Sequence, residues 1–179
     1  MSSVCGKKTR MKVHCCVVLV SALPFAAFCQ QAVNVVGAKV TEVGIYQAQI
    51  ATAETNAAGV KLQGLDEFKL LRSTTNVPAR IGTRFGFRYE IIGTPTNAPI
   101  ILTMVGRHPP IKNSKTGKLE TRDTYRLRSW IGKTYTSNSL DEESDLVPGQ
   151  WTFEVWHEGK KLCEQCFHVV PDENKPFSK

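Results

Sequence analysis

Thr83-Arg84-Phe85-Gly86-Phe87-Arg88-Tyr89-Glu90-Ile91 reads as one extended strand. Alternate positions place Phe85, Phe87, Tyr89 and Ile91 on one face and Arg84, Gly86, Arg88 and Glu90 on the other. Side chains of a strand point alternately to its two faces, so a period of two with one apolar side marks an antiparallel sheet with one face on a core and one on water. Working outward in both directions, the same period recurs. Residues 38–50 form a strand containing Val40, Val43, Ile45 and Tyr46, and Gly44 inside it predicts a bulge. Residues 51–59 read as a small-residue loop, 64–67 as a turn and 68–77 as a second strand ending at Pro78. After the strand over 83–91 and a turn-rich loop over 93–99, an almost continuous apolar run over 99–107 predicts a central strand stopped by Pro109 and Pro110. A loop over 113–117 leads to a strand over 121–131, which sets Tyr125, Leu127 and Ile131 against Arg126, Arg128 and Trp130.

Residues 132–149 read as a long polar connection closed by the Pro148-Gly149 turn. The last two strands form a hairpin through Glu158-Gly159-Lys160. Its first arm has Trp151, Phe153 and Val155 on one side and Thr152, Glu154 and Trp156 on the other; its second arm runs over 162–170, before a tail over 171–179. No stretch carries a helical period with caps. About seven short strands separated by turn signals, with no internal repeat and no linker, predict an all-β, immunoglobulin-like antiparallel β-sandwich in a single domain over 30–179, its core over about 38–170.

The N-terminus predicts an exported protein. Lys7, Lys8, Arg10 and Lys12 precede an apolar run over 13–28 broken only by His14, Ser21 and Pro24, and then Cys29, Gln30 and Gln31 follow. A positive start, a short apolar centre and small residues at a cut form a secretory signal, with Ala27 and Cys29 at the −3 and −1 positions if cleavage follows Cys29. Met11 to Cys29 reads as a complete short signal by itself, so Met11 is an alternative start. A transmembrane helix needs roughly 20 apolar residues, and this run is shorter. A lipid anchor on Cys29 would want a small residue where Phe28 stands. The expected location is the periplasm or the outside of the cell, with no membrane span after the signal is removed.

Removing 1–29 takes four of the 23 basic residues and none of the 16 acidic ones, so the net charge falls from +7 to +3. A balance so close to neutral gives no argument for nucleic acid as a partner. Cys5, Cys15, Cys16 and Cys29 leave as well, and the two that stay, Cys163 and Cys166, exclude the disulfide-framework class of small secreted proteins.

Several constellations invite a function. Cys163-Glu164-Gln165-Cys166 resembles a redox motif, but it lies in a strand, where three residues span about 10 Å and alternation parts the thiols. A bulge would relax this, and Leu162 and Phe167, an odd number apart and both core-like, predict one. Cys163, Cys166 and His168, with His157, are the conceivable soft-metal ligands, without the turns that would gather them. Arg107-His108-Pro109-Pro110 puts a cation and an imidazole at a strand end, suited to an acidic ligand. Arg80, Arg84 and Arg88 extend a basic face, or belong to a solvated outer surface. Trp130 and Trp156, flanked by Arg126, Arg128 and Glu154, form a candidate aromatic patch. Asp141-Glu142-Glu143 with Asp145 lacks the spacing of a calcium loop. Ser114-Lys115-Thr116-Gly117-Lys118 lacks the full phosphate-loop pattern, and no serine stands in a nucleophile elbow.

Three segments taken together carry a resemblance: 77–86 (Val-Pro-Ala-Arg-Ile-Gly-Thr-Arg-Phe-Gly), 105–111 (Val-Gly-Arg-His-Pro-Pro-Ile) and 146–159 (Leu-Val-Pro-Gly-Gln-Trp-Thr-Phe-Glu-Val-Trp-His-Glu-Gly). In this order and spacing they resemble a family of small exported bacterial domains of unknown function, number 3859, over about 38–170. The resemblance implies a bacterial source and a single domain and brings no activity, and Cys163 and Cys166 depart from the small or polar residues usual there. The expected function is therefore a non-catalytic binding or interaction module of the cell envelope, holding an unidentified protein or small ligand and no cofactor. Its recognition patch is expected at Arg107, His108, Trp156 and His157, with Arg84 and Arg88 adding charge. The alternative is a metal-binding or thiol-redox protein using Cys163 and Cys166.

Overall fold

In the computed structural model residues 32–55, 61–113 and 116–172 are described, with the backbone alone over 50–55 and 61–66. The expected leader over 1–29 and the tail beyond 172 lie outside the described residues. Among the described residues nine strands follow in order: β1 Asn34–Thr55, β2 Lys61–Arg72, β3 Asn76–Pro78, β4 Arg84–Thr94, β5 Pro99–Lys112, β6 Leu119–Trp130, β7 Gly132–Ser139, β8 Gly149–His157 and β9 Lys160–Val170. They make two sheets, β2-β1-β4-β7 and β3-β9-β8-β5-β6. All pairings are antiparallel except β3 with β9. The fold is the expected immunoglobulin-like sandwich.

The alternation that decided the fold sets the core. Phe85, Phe87, Tyr89 and Ile91 are 0–1% exposed. They meet Leu102 and Met104 of β5, Trp151 and Val155 of β8 and Phe167 and Val169 of β9. Phe85 is the hub, its ring 5.1 Å from Phe167, 5.7 Å from Phe153 and 5.9 Å from Trp151. Fully burying such side chains contributes about 1.5–3 kcal/mol each.

The count of nine rather than seven has physical causes. The segment read as a polar connection contains β7, an edge strand paired along β4 from Arg84↔Ser139 to Ile91↔Gly132. Its inward residues include Thr134 and Thr136, which hydrogen-bond the hydroxyls of the buried Tyr89 and the half-buried Tyr125. An inward face made of hydroxyls has no apolar period to read. β1 runs on to Thr55 and β2 begins at Lys61, so the expected turn over 64–67 is strand, and the second expected strand divides into β2 and β3.

Pro109 and Pro110 do not stop β5. The strand passes through them because its ladder to β8 has already ended at Arg107↔Thr152 and its ladder to β6 skips from Arg107 to Ile111. Prolines lack the N–H of a ladder and are tolerated where the ladder is broken. Gly44 pairs with Gly86 in register rather than bulging; the irregularities of β1 fall on either side of it. A Cβ on Gly44 would stand 2.1 Å from the carbonyl oxygen of Arg72, and one on Gly86 2.1 Å from that of Thr136. Both glycines are therefore needed for close backbone approach.

Candidate functional site

The outer face of the five-stranded sheet is built by counting in twos. From β6 come Arg122, Thr124, Arg126, Arg128 and Trp130; facing them on β5 are Arg107, Val105, Thr103, Ile101 and Pro99. On β8, Thr152, Glu154 and Trp156 face Arg107, Val105 and Thr103. Arg126, Thr103 and Trp156 thus form one cross-strand row. Alternation within β5 turns Met104, Gly106 and His108 inward and Arg107 outward.

Arg107 and Trp156 converge on Glu154. Arg107 Nε donates to Glu154 Oε1 at 2.9 Å, and Trp156 Nε1 donates to Oε2 at 2.8 Å. Glu154 is buried, whereas Arg107 keeps half its side chain in water. Burial alone would raise the carboxyl's pKa, but the bonds from Arg107 and Trp156, with the charges of Arg107 and Lys161, outweigh it and hold the group below its ordinary range. The Lys161 ammonium lies 5.9 Å from the centre of the Trp156 ring.

Beside this trio the ladder between β5 and β8 stops at Thr103↔Trp156, because β8 turns away at Glu158-Gly159. Both turn residues have positive φ, +47° and +79°, as a two-residue type I′ hairpin turn requires. The early departure of β8 leaves an open groove of about 770 Å³ lined by Val33, Ile101, Thr103, Arg126, Arg128 and His157 among others. Ile101 and Val33 expose over two-fifths of their surface. His157 Nδ1 donates to the carbonyl oxygen of Ile101 at 2.9 Å, filling the place of the missing ladder bond. This fixes the proton on Nδ1 and leaves Nε2 as the second hydrogen-bonding atom of the ring. Among the described residues Arg126 and Arg128 pair with no carboxylate.

The expected patch is therefore only partly assembled. Arg107, Trp156 and His157 share this face, and His108 does not. The His108 side chain is 5% exposed and its ring stands 5.2 Å from that of Trp151 on the core side. Its Nδ1 donates to the Pro109 carbonyl at 2.8 Å, and Nε2 lies 3.2 Å from Asp123 Oδ2, off the line of a good hydrogen bond. Burial pulls its pKa down, but the Asp123 carboxylate and the Pro109 carbonyl, with Glu120 more distant, raise it on balance. The carbonyl acceptor at Nδ1 and the carboxylate beside Nε2 both favour the imidazolium. Counting by two from Met104 locates His108 inside, whereas its neighbour Arg107 points out.

Arg84 and Arg88 stand on the other side of the molecule, on the outer face of the four-stranded sheet, and that face is not simply solvated. Tyr46, Phe68 and Tyr135 stack across it at 3.9 and 4.5 Å. The Arg88 guanidinium lies 5.3 Å from the Phe68 ring centre, pairs with Glu42 at 3.1 Å and donates to the Phe68 carbonyl. Arg84 is buried, which lowers its pKa, and Nη1 donates to Ser137 Oγ at 3.4 Å. Arg80 forms a two-point pair with Asp172, at 2.8 and 2.9 Å.

Cys163 and Cys166 are free thiols. The expected bulge exists, since Val155 pairs Cys163 and Trp156 pairs Lys161, which leaves Leu162 extra. It lies before both cysteines and so does not bring them together: Cys163 packs on the core, while Cys166 faces outward, its sulfur 3.2 Å from Thr152 Oγ1. Burial pushes the Cys163 thiol up to about 11. Among the described residues no three His, Cys, Asp or Glu side chains gather as a metal site would need, so Cys163, Cys166 and His168 are not assembled as ligands. Asp145 spends its carboxylate on the amides of Asp141 and Glu142 in a 3-10 turn, Glu143–Asp145. No helix among the described residues is long and apolar enough to cross a membrane.

A search of curated proteins finds no match. Among solved structures, the chain is similar to an immunoglobulin-like protein from Pseudomonas aeruginosa, at 21% identity over 79% of this chain and 99% of that one, with a TM-score of 0.56. At that identity the likeness concerns the fold alone. The family model described as a domain of unknown function, DUF3859, matches residues 35–169, both sheets nearly end to end, and the chain belongs to that family.

Proposed function

We propose that the protein is exported and serves in the cell envelope as a non-catalytic binding module that captures an anionic partner on the outer face of its five-stranded sheet. One observation carries this reading: Arg126 and Arg128, without an acidic partner among the described residues, line the same groove as His157 and the exposed Ile101 and Val33. Cations beside apolar surface attract an anion and hold it against a dry floor. Export is supported by the basic, apolar and small-residue order of residues 7–31.

Immobilised poly-L-glutamate is a suitable probe, with poly-L-lysine as the control. The protein is expected to bind the first and not the second, and to lose at least tenfold in affinity in the Arg126→Glu/Arg128→Glu variant. Equal binding to both polymers, or binding unchanged by the charge reversal, would overturn the groove. N-terminal sequencing of protein from the native host's envelope fraction checks export, and a chain kept in the cytoplasm with residues 11–29 intact would refute it.

A further inference from the structure

The arginines of the groove belong to an edge strand, and the backbone of that strand is itself open. Among the described residues β6 closes the five-stranded sheet and pairs only with β5. The direction of its free groups follows from β5. The Ile101 carbonyl points toward β8, where His157 meets it. Successive residues of an antiparallel strand aim their N–H and C=O groups at opposite neighbours. Thr103, Val105 and Arg107 therefore also aim toward β8, and their β6 partners Arg126, Thr124 and Arg122, with Arg128 opposite Ile101, aim away from β5 and off the edge. No backbone hydrogen bond beyond the strand ladders involves these four among the described residues.

The same four residues put their side chains on the outer face. A strand laid against β6 would thus gain main-chain hydrogen bonds from residues that also present three arginines, spaced two or four positions apart. Its own side chains on that face would recur every second residue, about 7 Å apart. Cross-strand pairs of opposite charge stabilise a ladder, and like charges opposed destabilise it. A second copy of β6 is a poor occupant, since antiparallel pairing would oppose arginine to arginine.

Resting on the anionic-partner reading above, we infer that the partner is an extended peptide segment with acidic residues at alternate positions, added as a sixth strand to the β6 edge. Main-chain bonds supply the affinity, and Arg122, Arg126 and Arg128 select the acidic pattern. Exposed Leu119 and Trp130, at the two ends of β6, offer apolar contacts where such a segment enters and leaves.

The test uses the full exported chain and four decapeptides of three kinds, all of equal charge. One alternates threonine and glutamate. One carries the same residues in two blocks. Two N-methylated forms of the first, methylated at the glutamates or at the threonines, make up the third kind. The alternating peptide is expected to bind at least tenfold more tightly than the block isomer. One N-methylated form is expected to lose that binding and the other to keep it, because only one set of amides faces β6. The amides of Thr124, Arg126 and Arg128 are expected to become protected from hydrogen exchange. Equal binding of alternating and block peptides would overturn strand addition, as would indifference to both methylations. Dextran sulfate binding as tightly with those amides unprotected would also overturn it, leaving a polyanion surface. Failure of poly-L-glutamate and every peptide alike would remove the anionic-partner reading as well.

Discussion

Replacing Glu154 by alanine tests the trio on the outer sheet face. The variant removes two charge-assisted hydrogen bonds, at 2.9 Å from Arg107 and 2.8 Å from Trp156. Arg107 is half exposed and regains water, so its share is small, about 0–1 kcal/mol. The half-buried Trp156 indole N–H loses its acceptor, at about 1–3 kcal/mol. The expected loss is about 1–4 kcal/mol, or roughly 3–12 °C in Tm for a domain of this size. Glu154→Gln keeps an acceptor for Trp156 and is expected to lose about half as much. The pH dependence separates the charge from the shape. The folded carboxyl sits below its unfolded value, so its contribution is complete above the unfolded range and is lost as pH falls through the folded value. Urea unfolding at pH 7 and near pH 3 is therefore expected to show the gap between wild type and Glu154→Gln closing in acid. A Glu154→Ala variant within about 0.5 kcal/mol of wild type at pH 7, the scatter usual for surface changes, or a gap that ignores pH, would refute the account of this trio.

The inward imidazole gives the opposite slope. His108 is raised, so its pairing with Asp123 stabilises fully below the ordinary imidazole value and is lost as pH rises through the higher folded one. Thermal melts from pH 5.5 to 8.5 are expected to show wild type losing stability relative to Asp123→Asn, and parallel curves would count against the pair. Gly149 has φ +139°, and a Cβ there would stand 2.8 Å from Pro109 Cγ, so Gly149→Ala is expected to cost about 1–3 kcal/mol in urea unfolding. In the air-oxidised protein, mass spectrometry after alkylation is expected to find Cys163 and Cys166 both free, with Cys163 labelled at least tenfold more slowly than in urea, because burial raises its thiol to about 11. A disulfide between them would contradict their placement on opposite faces.

The apolar alternation of β4 was enough to place the inner face, since Phe85 through Ile91 needed no knowledge of their partners. The hairpin of β8 and β9 was legible for the same reason. β7 was not, because its inward threonines serve tyrosine hydroxyls and so break the apolar code. The arginines of β6 were visible on one face with Trp130. That Arg126 and Arg128 share a groove with His157 depends on where β8 leaves β5, a tertiary event. The stack of Tyr46, Phe68 and Tyr135 joins three strands that are far apart in sequence, which no local pattern records.

The parallel pairing of β3 with β9 has a consequence for how the chain reaches this state. Asn76, Val77 and Pro78 meet His168, Val169 and Val170, and Ala79 N–H then donates to the Val170 carbonyl. Some ninety residues must be threaded before that seam can close, so the ordering entropy is spent long before the reward arrives. A chain emerging N-terminus first can zip β1 to β2 at once, yet the second sheet must wait for its final strand. A chain cut before His168 would leave the sandwich open along that seam.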